Sequence, residues 1–167
     1  MNDTIRILGV DPGLRHTGWG VITKTGSRLS HVAHGVLRID PDQSLAARLH
    51  ELHREVSALI NVHKPELACV EETFVNVSAR SSLMLGHARG VILAALAASK
   101  LDVLELSPRS IKKTVVGTGR ADKDQIQFMV GRLLPKAGEM TTDAADALAC
   151  AISAAHLSNA PNIRQSA

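Results

Sequence analysis

Residues 5–11 read IRILGVD, and residues 17–39 read TGWGVITKTGSRLSHVAHGVLRI. The first is a short, nearly all-apolar run that ends on an acid and a turn, the pattern of a buried strand. The second holds two β-rich runs with KTGS (24–27) between them, a hairpin signal. Three strands in succession therefore open the chain. The remaining elements set the fold class. SLAARLHELHREVSALINVHKP (44–65) places Leu45, Leu49, Leu52, Val56, Leu59 and Ile60 on one helical stripe, with Ser44 as cap and Pro65 as stop. ELACVEE (66–72) is a fourth strand, SSLMLGHARGVILAALAASK (81–100) a second helix and LDVLELS (101–107) a fifth strand. PRSIKKTVV (108–116) starts a helix on Pro, GTGR (117–120) is a loop, and DKDQIQFMVGRLL (122–134) is a helix with Asp122 as N-cap and Gln125 in capping-box position. TTDAADALACAISAAHL (141–157) is the last helix. Three antiparallel strands followed by β–α alternation predict an α/β protein: a mixed five-stranded sheet flanked by helices. Residues 1–158 read as one domain and 159–167 as a disordered tail.

Composition bounds the function. The chain has 167 residues, enough for one well-buried core. Apolar residues make up 45% and aromatics only 2%, so the core must be aliphatic and Trp19, Phe74 and Phe128 become worth locating. A net charge of +3 and a pI near 9.1 tilt toward an anionic partner without requiring one. The start, MNDTIRILGV, runs straight into a strand pattern and carries no secretory signature. The longest strictly apolar run, Val91 to Ala98, is too short to span a bilayer, so no membrane is expected. Cys69 and Cys150 sit in apolar strings and read as small buried hydrophobes in a reducing cytoplasm. His50 and His53 stand three apart where the metalloprotease motif needs four, so they read as an exposed helix face.

Four carboxylates carry the chemistry. Asp11 ends the first strand and Glu71 the fourth; Asp143 and Asp146 stand three apart in the first turn of the last helix. Each has an ordinary explanation. Asp-Pro-Gly is a turn, strands often end in charge, and acids at a helix N-terminus gain a few tenths to about 1 kcal/mol from the dipole. Taken together they say more. A spacing of three puts both aspartates on one helix face, and two strand-end acids can meet that face where active groups of such sheets gather. Packed carboxylates repel, and a pair of Mg²⁺ ions, which take oxygen ligands, relieves the repulsion. Two such ions are a standard clamp for phosphodiester displacement.

The stretches GVDPGLRHTGWG (9–20), VEETF (70–74), GHARGV (86–91), IKKTVVGTGRADKDQI (111–126) and DAADALA (143–149) together resemble the RuvC crossover-junction endodeoxyribonucleases. The resemblance covers about Ile5 to Leu157, with the motifs in order. It implies an RNase H-like fold, a homodimer, Mg²⁺ dependence with Mn²⁺ as substitute, and paired nicks across a Holliday junction in recombination and repair. It also implies work with a RuvA–RuvB branch-migration complex and a preference for thymine-rich sites. Carried over by position, the catalytic and metal-holding acids are Asp11, Glu71, Asp143 and Asp146. The family commonly has Gln after the catalytic Glu, whereas this chain has Glu72. Strand alternation lets only one of the two face the site, and Glu71 is the choice because it follows CV and stands three before Phe74, as in the family.

Arg109, Lys112, Lys113, Arg120 and Lys123 fall within fifteen residues. They are either a solvated face or phosphate contacts. Lys123 lies in a helix's first turn, where a cation opposes the dipole unless a phosphate is near. The resemblance marks Lys112 and Lys123 as phosphate-contacting or supporting lysines; Lys113, Arg120 and Arg80 are expected as further DNA contacts. GTGRADK (117–123) is not a Walker A loop, since Asp122 replaces the glycine before the lysine. Phe74 is either a core plug or a stacking partner for an unpaired base, and the resemblance favours stacking. Trp19 is expected to pack in its strand.

Two other readings share parts of this pattern. Actin-like ATPases use a strand-end Asp and glycine loop against phosphates, but need two such domains. An RNase H acting on RNA–DNA hybrids would share fold and metals. The second helix leaves one question open. Gly86, Gly90 and Ala94 repeat every four residues, a stripe that either packs on the chain's own sheet or admits a second subunit. The helix is apolar nearly all round, which requires burial on several sides, and a C2 dimer through this helix is the expectation.

Overall fold

The computed structural model describes residues 4–72 and 78–158. Strands β1 (Thr4–Asp11), β2 (His16–Thr25) and β3 (Arg28–Arg38) are followed by helix α1 (Leu45–His63), strand β4 (Leu67–Glu71) and helix α2 (Ala79–Ala98). Strand β5 (Asp102–Leu106) and helices α3 (Pro108–Val116), α4 (Lys123–Leu133) and α5 (Thr142–Leu157) complete the order. Local chemistry sets the boundaries, with α2 starting two residues before the expected Ser81 because Ser78 caps it. Ser44, Ser78, Ser107 and Thr141 cap their helices through side-chain oxygens, Pro108 opens α3, and both halves of the Asp122–Gln125 capping box are formed. Lys64, in the left-handed conformation before Pro65, ends α1.

The sheet runs β3-β2-β1-β4-β5. β1 pairs antiparallel with β2, and β2 with β3; β4 and β5 join parallel. The sheet is thus mixed and five-stranded, with helices on both faces. Alternate strand residues divide the interior into two cores. Ile7, Ile22, Leu67 and Cys69 face the layer of α3, α4 and α5. Leu8, Val10, Val21, Ala68 and Val70 face α1 and α2. Cys69 and Cys150 are free and fully buried. His50 and His53 are exposed, and Trp19 packs from β2 against His63 at 5.3 Å between ring centroids.

α5 lies closest to the sheet. Every residue from Ala144 to Ala155 except Asp146 is buried, mostly alanine, so the helix approaches with little side-chain bulk. Gly9 and Gly18 make room for its backbone. A Cβ on Gly9 would stand 2.0 Å from the Ala147 carbonyl oxygen, and one on Gly18 2.0 Å from that of Asp143.

α2 buries only Ala88, Ile92, Ala95 and Leu96. By length and composition alone it would suffice to cross a membrane, as the core helix of a soluble protein also can. The buried face packs in the core with α1 and the sheet. The Gly86–Gly90–Ala94 stripe points the other way: all three are exposed, and a Cβ at Gly86 or Gly90 would meet nothing within 4 Å. The stripe therefore does not pack on the chain's own sheet.

These two glycine environments predict opposite responses. Gly9→Ala must push α5 off the sheet and should cost about 1–3 kcal/mol. Gly86→Ala fills open space in a helix interior and should be neutral or stabilise the protomer by up to about 1 kcal/mol. Urea unfolding of both variants checks this; equal stability of Gly9→Ala and the parent chain would contradict the packing described.

Candidate active site

Parallel pairing of β1 with β4 in the register Val10↔Val70 brings the ends of both strands side by side. Asp11 and Glu71 come directly after these residues, and both continue the odd-numbered series that faces α5. Glu72 falls on the other parity. Its backbone N–H donates to the Leu106 carbonyl at 2.8 Å, extending the β4–β5 ladder by one residue. Strand alternation thus sends Glu71 and Glu72 to opposite faces.

A cavity of about 300 Å³ opens at this end of the sheet. Asp11, Glu71 and Asp146 line it with Lys112 of α3 and Lys123 of α4. Pro108, Ile111, Ile126 and Ala149 form its apolar wall. Asp143, one turn before Asp146, stands outside this lining, yet its charge acts on both Asp11 and Asp146. Lys113 and Arg120 are exposed on α3 and the α3–α4 loop, and Arg80 on the first turn of α2; none of the three lines the cavity. Arg109 lies over Gly119. Phe74 falls outside the described residues.

The acids are electrostatically uncompensated. Burial, then repulsion from Glu71, Asp146 and Asp143, pushes the Asp11 carboxyl up to about 8, against the pull of Lys123. Burial and then Asp146 push Glu71 up to about 7, while Lys112 and Lys123 oppose. Asp146 is raised by burial first, with Lys123 the largest opposing influence. The cause is a desolvated cluster of like charges in which two lysines cannot balance four acids.

Such a donor set fits a hard divalent cation. All the ligand atoms on offer are carboxylate oxygens, and burial and mutual repulsion, both of which a divalent cation would oppose, raise three of the carboxyls. Among the described residues no three such side chains close into a tight ligating cluster, so the acids surround a space rather than a point.

Of the acids and lysines singled out in the sequence, Asp11, Glu71, Asp146, Lys112 and Lys123 come together at one cavity, and Asp143 does not line it. The sequence did not anticipate the apolar wall that desolvates them. The signal was present in the buried stripes Ile111/Val115 of α3 and Ile126/Val130 of α4, but which end of each stripe meets the acids depends on tertiary packing.

A family model described as crossover junction endodeoxyribonuclease RuvC matches residues 7–154. The chain belongs to the RuvC family. A RuvC of Hyphomonas neptunium is 60% identical over 93% of both chains. A RuvC of Caulobacter vibrioides is 55% identical over 91% of this chain and 90% of its own. Among solved structures, Thermus thermophilus RuvC in complex with Holliday junction substrate aligns with TM-score 0.83 at 28% identity, covering 89% of this chain and 92% of that one. The yeast mitochondrial Holliday junction resolvase aligns over 89% of this chain and 78% of its own with TM-score 0.69 at 15% identity, a likeness of fold alone. The architecture is RNase H-like, as the sequence predicts.

The electrostatics predict a stability profile. Asp11 and Glu71 have folded-state pKa values above their unfolded ones, so the folded protein binds more protons between pH about 4 and 8. Metal-free stability should therefore fall as pH rises through that window. Mg²⁺ should raise the melting midpoint more at pH 8 than at pH 5, by roughly 5 °C or more, since 1 kcal/mol moves a chain of this size by about 2–4 °C. Asp11→Asn should flatten the profile. Calorimetry with and without Mg²⁺ at the two pH values checks all three.

Proposed function

We propose that this chain is a Mg²⁺-dependent endonuclease that resolves four-way DNA junctions in recombination and repair by paired, symmetric phosphodiester hydrolysis. The supporting observation is a RuvC-family chain in which Asp11, Glu71, Asp146, Lys112 and Lys123 share one cavity. Residues 1–158 are assigned to the nuclease domain and the setting is the cytoplasm, with RuvA–RuvB as expected partners.

Asp11, Glu71 and Asp146, with Asp143 beside them, would hold two Mg²⁺ ions, or Mn²⁺ in their place. Bound there, the ions supply Lewis acidity for the attacking water and for the departing 3′-oxygen. Lys112 and Lys123 offset the repulsion between the phosphate backbone and the acids. Ile111, Ile126, Pro108 and Ala149 exclude bulk water and so strengthen each charge interaction in the cavity. Lys113, Arg120 and Arg80 are assigned to backbone contacts beyond it, and Phe74 to stacking on an unpaired base, worth about 1–3 kcal/mol.

Two symmetric cuts require two sites. The exposed face of α2, with Leu83 58% exposed beside Gly86, Gly90 and Ala94, supports assembly as a C2 dimer through paired α2 helices.

Asp11→Asn, Glu71→Gln, Asp143→Asn and Asp146→Asn should each slow nicking of a synthetic four-way junction by roughly 10³-fold or more, several kcal/mol at about 1.4 per tenfold. Junction binding should survive in each. Glu72→Gln should stay active; the reverse pattern would exchange the roles of the two glutamates. Ca²⁺ should support binding without cleavage, and robust cleavage in EDTA would remove the metal assignment. Preferential cleavage of an RNA–DNA hybrid over the junction would replace the reading with an RNase H activity. For assembly, Leu83→Glu should give a folded monomer that makes no paired nicks, and sedimentation reads the outcome directly. A wild-type monomer at micromolar concentration with resolution intact would exclude the dimer.

A further inference from the structure

The end of the sheet that carries the acids has a second basic group, two arginines with a histidine between them, on its opposite flank. Arg15 and His16 come after the turn that begins at Asp11, and Arg38 ends β3; all three are exposed. Antiparallel register sets His16 opposite Arg38, and Arg38 Nη1 lies 3.4 Å from His16 Nε2. The Ile39 N–H donates to the Arg15 carbonyl at 3.1 Å, which fixes Arg15 beside the end of β3. The loop itself is braced. Thr17 Oγ1 donates to the Gly13 carbonyl at 2.5 Å, and Arg48 of α1 donates from Nη2 to the Leu14 carbonyl at 3.4 Å.

Among the described residues no acid pairs with this group. Among the described residues the ion pairs are Arg54–Glu55 and Arg89–Glu105, and neither involves Arg15 or Arg38. Asp40, two residues beyond Arg38, turns its carboxylate to the Asp42 N–H at 3.0 Å. Two arginines brought to one sheet edge, Arg38 beside His16 and Arg15 anchored through its backbone next to the end of β3, suit an external anion, and the arginine fork matches phosphate oxygens.

Position indicates which anion. Gly18 pairs with Asp11, and His16 and Arg38 lie two residues beyond it, one and two strands across. With strands about 4.8 Å apart and about 3.3 Å of rise per residue, the Cα of Arg38 stands roughly 12 Å from that of Asp11. That is three to four base-pair steps at about 3.4 Å each. A strand whose phosphate sits at the acids would pass over this flank after a few nucleotides.

We infer that Arg15 and Arg38, with His16 between them, form a second phosphate-binding subsite that holds the DNA backbone on the β2–β3 flank of the cavity, opposite Lys112 and Lys123. The inference rests on the nuclease reading. It makes the nucleic-acid track cross the whole sheet end rather than stop at the α3–α4 side.

The test measures binding of the full chain to a four-way junction and to linear duplex in EDTA, from 50 to 200 mM salt. Arg15→Gln/Arg38→Gln is compared with Arg28→Gln/Arg54→Gln, which removes the same charge from the far end of the sheet and from α1. Thermal midpoints matching the wild type establish that both variants fold. Two lost phosphate contacts, at a slope of about 0.9 each, should shrink the salt-induced weakening by about twelvefold in the first variant. The control should keep the wild-type slope. Equal slopes in both variants, whether both unchanged or both lowered, overturn the subsite. Absence of any wild-type preference for the junction would instead overturn the proposed function, and the slope comparison on duplex would still decide the subsite.

Discussion

Everything at the site depends on how closely α5 lies against β1 and β2. Carbonyl oxygens of Ala147 and Asp143 occupy the positions that Cβ atoms of Gly9 and Gly18 would fill. Alanines on the helix and glycines on the strands are thus two halves of one fit, and interiors packed at this density transmit any displacement. The other end of the helix is held as well: Lys24 of β2, nearly buried, donates to the Ala155 carbonyl and, at 3.0 Å, to Ser158 Oγ. Gripped at both ends, α5 cannot slide by a turn, about 5.4 Å. Asp143 and Asp146 therefore have one fixed height above the ends of β1 and β4.

That fixed height is costly to the folded protein when no cation is present. Burial and mutual repulsion raise Asp11, Glu71 and Asp146 together, so the ionised cluster is disfavoured near neutrality. A hydrophobic replacement of any one acid would relax it. Sites that hold like charges in an apolar surround exchange stability for readiness toward an opposite charge. Lys112 and Lys123 reduce the repulsion without cancelling it, since all three lining carboxyls stay raised despite them.

Much of this architecture was legible in the sequence because it is locally determined. The helix caps at Ser44 and Asp122 use partners three residues away, and the β2–β3 turn lies within KTGS. The four acids were legible as a set because each terminates or begins an element. The features that stayed hidden depend on contacts between distant segments. The fit of Gly9 to Ala147 spans most of the chain. Parity separates Glu71 from Glu72 only once Cys69 is known to face α5. The α2 stripe read equally well inward or outward, and the packing of Ala88, Ile92 and Ala95 turns it outward. Phe128 had no role from its pattern, and in the structure it stands 66% exposed on α4.

The outward face of α2 and the acid cavity are also mechanically joined. Arg89, on the turn between Gly86 and Gly90, pairs with Glu105 of β5. The next residue, Leu106, accepts the Glu72 N–H, and Ser107 then caps α3, which carries Lys112. One ion pair and one ladder hydrogen bond thus connect α2 to β5, the end of β4 and the base of α3. An ion pair at a half-exposed site contributes little stability by itself, so its value lies in fixing direction. A second subunit seated on α2 would therefore be held in a defined orientation to the cavity, and two cavities related by that seating would address their DNA strands at one fixed separation.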